Sequence, residues 1–174
     1  GALTTAQVGA LEVADVAALT ATQLNKLSTL QVQALTTAQL VALTTAQIEA
    51  LTTAQVAALT TAQLVALEVT DVAALTAAQV VGLTTAQAGV LTSAQMAALT
   101  VDQIAVLQAA DLAAVSTDAI VSLTTAQVAV LSAGQIAALT TAQVAALETA
   151  DLAALSAEQI VAMSSTQIAV LSTA

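Results

Sequence analysis

The chain contains no His, Cys, Pro, Trp, Tyr or Phe, and one basic side chain, Lys26, among 174 residues. Each absence excludes something. Without Cys there are no disulfides and no thiolate metal sites. Without His a Ser or Thr nucleophile has no ordinary activating base. Without aromatic rings the core lacks the large burial each ring brings, so it must be built from small aliphatic pieces. A single cation against eleven carboxylates gives a net charge of −10. Nucleic acid is therefore not an expected partner, because Lys and Arg must displace the counterions of the phosphates. An anionic membrane surface repels the chain for the same reason.

Long apolar runs are also missing. Mean hydropathy is high, at +0.95, yet no uninterrupted run exceeds four residues, Gly included. Spanning a bilayer takes about twenty mostly apolar residues, so membrane insertion is not expected. No charged-then-apolar amino-terminal segment marks a signal peptide. The glycines, Gly1, Gly9, Gly82, Gly89 and Gly134, are scattered and form no phosphate loop. No catalytic, cofactor-binding or metal-binding residue is expected, and no cofactor. Lys26 is expected to face solvent, and the chain is expected not to be an enzyme.

What is present is one unit repeated. From Leu3 in steps of eight, the chain reads L-T-T-A-Q-V-A-A. Position one is Leu in twenty of twenty-two copies, Val115 and Met163 excepted. Position six is Val, Ile or Leu in nineteen of twenty-one, with Ala88 and Met96 the departures, and position five is Gln in sixteen of twenty-one. A period this regular decides the fold class before any local propensity does. Residues 1–3 enter at the end of a unit and 171–174 stop inside one, so the expectation is a piece of a longer array, 1–174 being a single repeat domain.

One continuous helix does not fit. Each octad advances the helical wheel by roughly 80° beyond two turns, so Leu and Val spiral around the rod without a lasting apolar face. A strand fails too, since positions one and six have opposite parity and would point to opposite faces. One short helix per octad does fit. Position two is Thr or Ser in eighteen of twenty-two copies, and Gln follows three residues later. Thr-x-x-Gln is the capping box, in which the hydroxyl accepts from the N3 amide and Gln reaches back to the cap amide. Thr52 with Gln55, Thr60 with Gln63 and Thr140 with Gln143 are clear instances. The expected fold is an all-α solenoid of very short helices, each starting just after position two. Positions one and six form its interior and position three is mostly exposed. So short a helix is marginal alone and must stack on its neighbours.

Four octads break the pattern twice each: Glu12 with Asp15, Glu68 with Asp71, Gln108 with Asp111, and Glu148 with Asp151. Positions that change together share a contact, and the capping box supplies one, with an acid at N3 further favoured by the helix start. A Ca²⁺ site built from these pairs is the alternative. It lacks the alternating Asp and Gly of an EF-hand loop, and structural capping is preferred. The last three pairs lie forty residues apart, so 67–106, 107–146 and 147–174 read as five-octad blocks. Gene duplication explains them, and so would five octads making a whole number of solenoid turns; duplication is preferred.

The L-T-T-A-Q-V-A-A units resemble the short Leu/Thr/Ala/Gln repeats of large secreted bacterial surface proteins of adhesin type. The resemblance implies an extracellular or cell-surface location and a role as spacer, stalk or filament element. A repetitive binding surface is the other reading, for example ice-binding through Thr ladders or Ca²⁺-dependent self-association. Expected partners are neighbouring copies end to end or flanking domains of a longer chain. Neither end carries a more polar capping octad, so Leu3, Val8, Ile168 and Leu171 are expected to be partly uncovered and to favour head-to-tail packing.

Overall fold

In the computed structural model, residues 3–171 are described. They form twenty-one helices, one per octad, with no strand among the described residues. The shortest, such as Ala21–Leu24, has four residues, and the longest, Ser165–Leu171, has seven. Every helix with an assigned cap takes it at position two in extended conformation and begins at position three, as at Thr60 (φ −69°, ψ 158°) before Thr61–Ala66. The chain is thus a solenoid of short helices. It divides into two compact units, Gly1–Leu83 and Thr84–Ala174. That division coincides with none of the block boundaries at 67, 107 and 147.

The reason helices restart every eight residues is visible at each cap. In all sixteen octads with Gln at position five, the hydroxyl of position two accepts from the Gln amide N–H. The Gln side-chain oxygen in turn accepts from the cap N–H. An extended residue at position two cannot continue the helix before it, so the same residue ends one helix and starts the next.

Within each unit, a helix packs on the helix three octads further along. In the first unit Thr29–Gln33 packs on Thr53–Ala58, which packs on Ala77–Val81; in the second, Ala109–Ala114 packs on Ala133–Ala138, and that on Ala157–Ala162. Aliphatics at positions one and six meet between turns. Leu35, Leu43, Leu51 and Leu59 are each 4% exposed, and Val56 and Leu64 are fully buried. Position three is exposed in most copies, as expected, including Thr45, Thr61 and Thr125.

At the edges of the array the two rows part. Position-one residues of the opening octads are not covered: Leu3 is exposed and Leu11, Leu19 and Leu27 are half-buried, whereas Val8, Val16 and Leu24 at position six are fully buried. In the closing octads position six is uncovered instead, with Leu152 half-buried and Ile160 and Ile168 exposed. Position one therefore packs toward the preceding turn and position six toward the following one. The expectation for Leu3 and Ile168 holds, and Leu171 is half-buried. That for Val8 is corrected: the following turn covers its side chain.

Candidate functional site

The buried polar groups organise this molecule. From Gln39 onward every position-five Gln is buried, although the octad pattern read it only as a helix cap. Its side chain has two ends, and the cap uses one. At Gln63 the side-chain oxygen accepts from the Thr60 N–H at 2.7 Å. The side-chain nitrogen donates to the carbonyls of Leu35 at 2.7 Å and of Val32 and Gln33, each at 3.2 Å. Those carbonyls lie 28 to 31 residues earlier, at the end of a helix one turn back. The same contacts recur at Gln39, Gln79 and Gln159. One amide thus caps the start of its own helix and satisfies the orphan carbonyls of another. A solenoid turn accordingly takes between three and four octads.

A signal for this was present in the sequence. A capping box accepts Glu as readily as Gln, yet position five never holds Glu. Only an amide carries both the acceptor for the cap and the donor for the carbonyls.

The acidic octads work differently, and here the sequence reading is corrected. Glu12, Glu68, Gln108 and Glu148 occupy the cap position but make no side-chain cap hydrogen bond. The paired substitution is not a variant capping box. Two carboxylates offer only acceptors to each other, and Asp is one methylene shorter than the Gln it replaces. Asp71, Asp111 and Asp151 instead accept from hydroxyls of the previous turn. Thr45 donates to Asp71 at 3.0 Å, Thr85 to Asp111 at 2.8 Å and Thr125 to Asp151 at 2.9 Å, each across 26 residues. All three carboxylates are buried, and the second oxygen of Asp111 has no hydrogen-bond partner. Asp15, in the opening octads, is exposed. Among the described residues, no group of three or more carboxylates comes together to hold a metal ion.

One further octad departs. Ala119 stands where Gln or Asp is otherwise found, and Ser116 still caps its helix through the Ala119 N–H at 3.2 Å. The link to the previous turn passes to Ser122, whose hydroxyl donates to the Ser93 carbonyl at 2.8 Å and to its own helix at Ala119 at 2.7 Å. Ser122 is the only hydroxyl at position eight of any octad.

Lys26 is exposed, as expected. It lies at the rim of an apolar concavity in the first unit, lined by Leu3, Leu11, Leu19, Leu27 and Leu35. Its wall is mainly the uncovered position-one row, Leu3, Leu11, Leu19 and Leu27, with the buried Leu35 behind them. No helix of the described residues is long and apolar enough to cross a membrane.

The ALTTAQ repeat family matches residues 8–45, 37–69, 64–101, 104–141 and 144–174, which tile nearly the whole chain. The chain belongs to the ALTTAQ repeat family. No curated protein and no solved structure matches it.

Proposed function

We propose that this ALTTAQ array serves as a semi-rigid spacer, stalk or filament element of a secreted or surface protein, with no catalytic role of its own. The observation that supports the reading is the Gln ladder. Within each unit, turns are tied to the ones before them by the same kind of buried amide-to-carbonyl bonds, as at Gln63 and Gln159, so octads add length with little need for new kinds of contact. Stability in such an array is a sum of repeat and nearest-neighbour terms, which suits a part whose length is its function. Acidity supports it as well, keeping an aliphatic array soluble and apart from like-charged surfaces.

The test is a length series. Arrays shortened or extended by one five-octad block, carried between two flanking reporter domains, are compared by small-angle scattering and by energy transfer between the reporters. A spacer changes the inter-reporter distance by a constant increment per block while leaving the reporters' own activities intact. Distances that do not track block number would overturn the proposal.

A further inference from the structure

We infer that the acidic octads are calcium sites, in which the position-two and position-five side chains of one octad close on a Ca²⁺ ion held against the preceding turn. The inference stands whether or not the array acts as a spacer. Its first basis is a pairing that hydrogen bonding leaves without a cause. Wherever Asp stands at position five, position two changes from a hydroxyl to Glu12, Glu68, Gln108 or Glu148. None of these four side chains caps its helix, and carboxylates only accept. What Glu and Gln share, and Thr and Ser lack, is a side-chain carbonyl or carboxylate oxygen, the kind of ligand a hard cation takes. The two positions are also close in space. In ordinary octads Thr44 Oγ1 lies 3.0 Å from Gln47 Oε1, and Thr52 Oγ1 lies 3.1 Å from Gln55 Oε1. A cation between two such oxygens gives the paired substitution a shared contact.

The second basis is independent of the first. Asp71, Asp111 and Asp151 are 3%, 1% and 4% exposed, and one oxygen of each accepts from a threonine of the preceding turn. The other oxygen of Asp111 is buried with no hydrogen-bond partner. Buried charges are ordinarily paired or bound to a metal. Unmatched acceptors also come from the turn behind. In the first unit Thr45, the partner of Asp71, stands two residues after Leu43. At the spacing that Gln63 keeps to Leu35, the Leu43 carbonyl belongs to Asp71, and it accepts no hydrogen bond among the described residues. In the second unit Leu123 stands in the same relation to Thr125 and Asp151. Acceptors thus face acceptors, and a cation satisfies both sides at once. Glu68, Gln108 and Glu148 are exposed, which gives the ion a path from solvent. Mixed carboxylate, carbonyl and water oxygens in flexible geometry suit Ca²⁺, whereas Mg²⁺ demands a near-ideal octahedron and gives up its waters reluctantly. Asp15 is exposed and is not counted among the sites.

Calorimetric titration of the full chain, first stripped with a chelator, tests this with CaCl₂ as the probe. About three sites per chain are expected, with dissociation constants of about 10⁻⁴–10⁻³ M, the weak end of the calcium range, because at most two carboxylates supply the charge of each. Calcium should also raise the thermal unfolding midpoint, by mass action on the folded state, and equal magnesium should raise it less. Two variants separate the sites from general acidity. In the first, Glu68→Thr, Asp71→Gln, Gln108→Thr, Asp111→Gln, Glu148→Thr and Asp151→Gln restore three capping boxes. That chain should keep its helical circular dichroism and bind calcium at least about tenfold more weakly. In the second, Glu49→Gln, Asp102→Asn, Asp118→Asn and Glu158→Gln remove exposed carboxylates outside the acidic octads, and binding should match the parent. Three results would overturn the inference: a parent chain that binds no calcium at several millimolar, undiminished binding in the first variant, or an equal loss in both variants.

Discussion

Gln63 donates to the carbonyl of Leu35, 28 residues earlier, at 2.7 Å, both groups being buried. Through that contact a residue chosen for helix capping becomes the tie between turns. Gln63→Glu separates the two roles, since Glu still accepts from the Thr60 N–H but offers the carbonyls of Val32 and Leu35 a carboxylate. Unmade buried bonds cost about 1–3 kcal/mol each, more when charge is involved. Thr60→Ala, which removes the cap hydroxyl alone, should cost about 0.5–2 kcal/mol. Urea unfolding should therefore rank Gln63→Glu well above Thr60→Ala; equal losses would mean that capping is all the glutamine contributes.

The interior is tested by a contrast within one octad. Leu59 is 4% exposed, and Leu59→Ala should cost about 2–5 kcal/mol. Thr61, two residues on, is exposed at position three, and Thr61→Ala should stay within about 0.5 kcal/mol. Comparable shifts in the unfolding midpoint would mean that the rows facing the core are misassigned.

What could be read in the octads was local chemistry. Thr60 and Gln63, three apart, announce a helix start, and the clash of an eight-residue period with both helix and strand periods rules out longer elements. Positions one and six follow as the interior because they are the only consistently large aliphatics. The relation between turns was not legible, since it depends on the angle at which one short helix follows another, and no octad encodes that by itself. The burial of Gln39 and its successors follows from that angle, and its trace in the sequence is only the exclusion of Glu. The acidic pairs misled for a related reason. Covariation of Glu68 with Asp71 suggested a contact within the octad, whereas the contact Asp71 makes is with Thr45, in the previous turn. Nor is the forty-residue block a whole number of turns. Asp111 and Asp151 are separated by five octads, while one turn takes between three and four and two turns take more than six. A whole number of solenoid turns therefore does not set the forty-residue spacing.

The acidic octad offers a gain of stability. Glu68→Thr with Asp71→Gln should restore the capping box and supply a donor to the carbonyls of Leu40 and Leu43, by analogy with Gln63. A restored cap contributes about 0.5–2 kcal/mol, offset in part by the lost acceptor of Thr45. Thr45→Val should destabilise the parent by about 1.5–3 kcal/mol, the range for a hydrogen bond to a charged group. In the converted octad it should do almost nothing. A double-mutant cycle on thermal unfolding checks the coupling; an additive result would detach Thr45 from Asp71.

Ser122 provides the sharpest exchange of one link for another. Its octad keeps the cap at Ser116 but has Ala119 in place of the glutamine, and the Ser122 hydroxyl reaches the Ser93 carbonyl at 2.8 Å. Ser122→Ala removes the hydroxyl's bond to the Ser93 carbonyl of the preceding turn and should cost about 0.5–1.5 kcal/mol, the net worth of one hydrogen bond. Ala119→Gln should recover that loss. Set three residues after Ser116, a glutamine would complete the capping box. At the spacings kept by Gln63, its nitrogen would meet the carbonyls of Ala88 and Leu91, which belong to the same compact unit as Ala119. The rescue is specific: Ala119→Leu, of similar bulk without the amide, should leave Ser122→Ala as unstable as before or more so, because it adds volume to a fully buried site. Thermal unfolding of the three variants decides the matter. Recovery by Leu as well as Gln would show that volume rather than the amide holds this turn to the last.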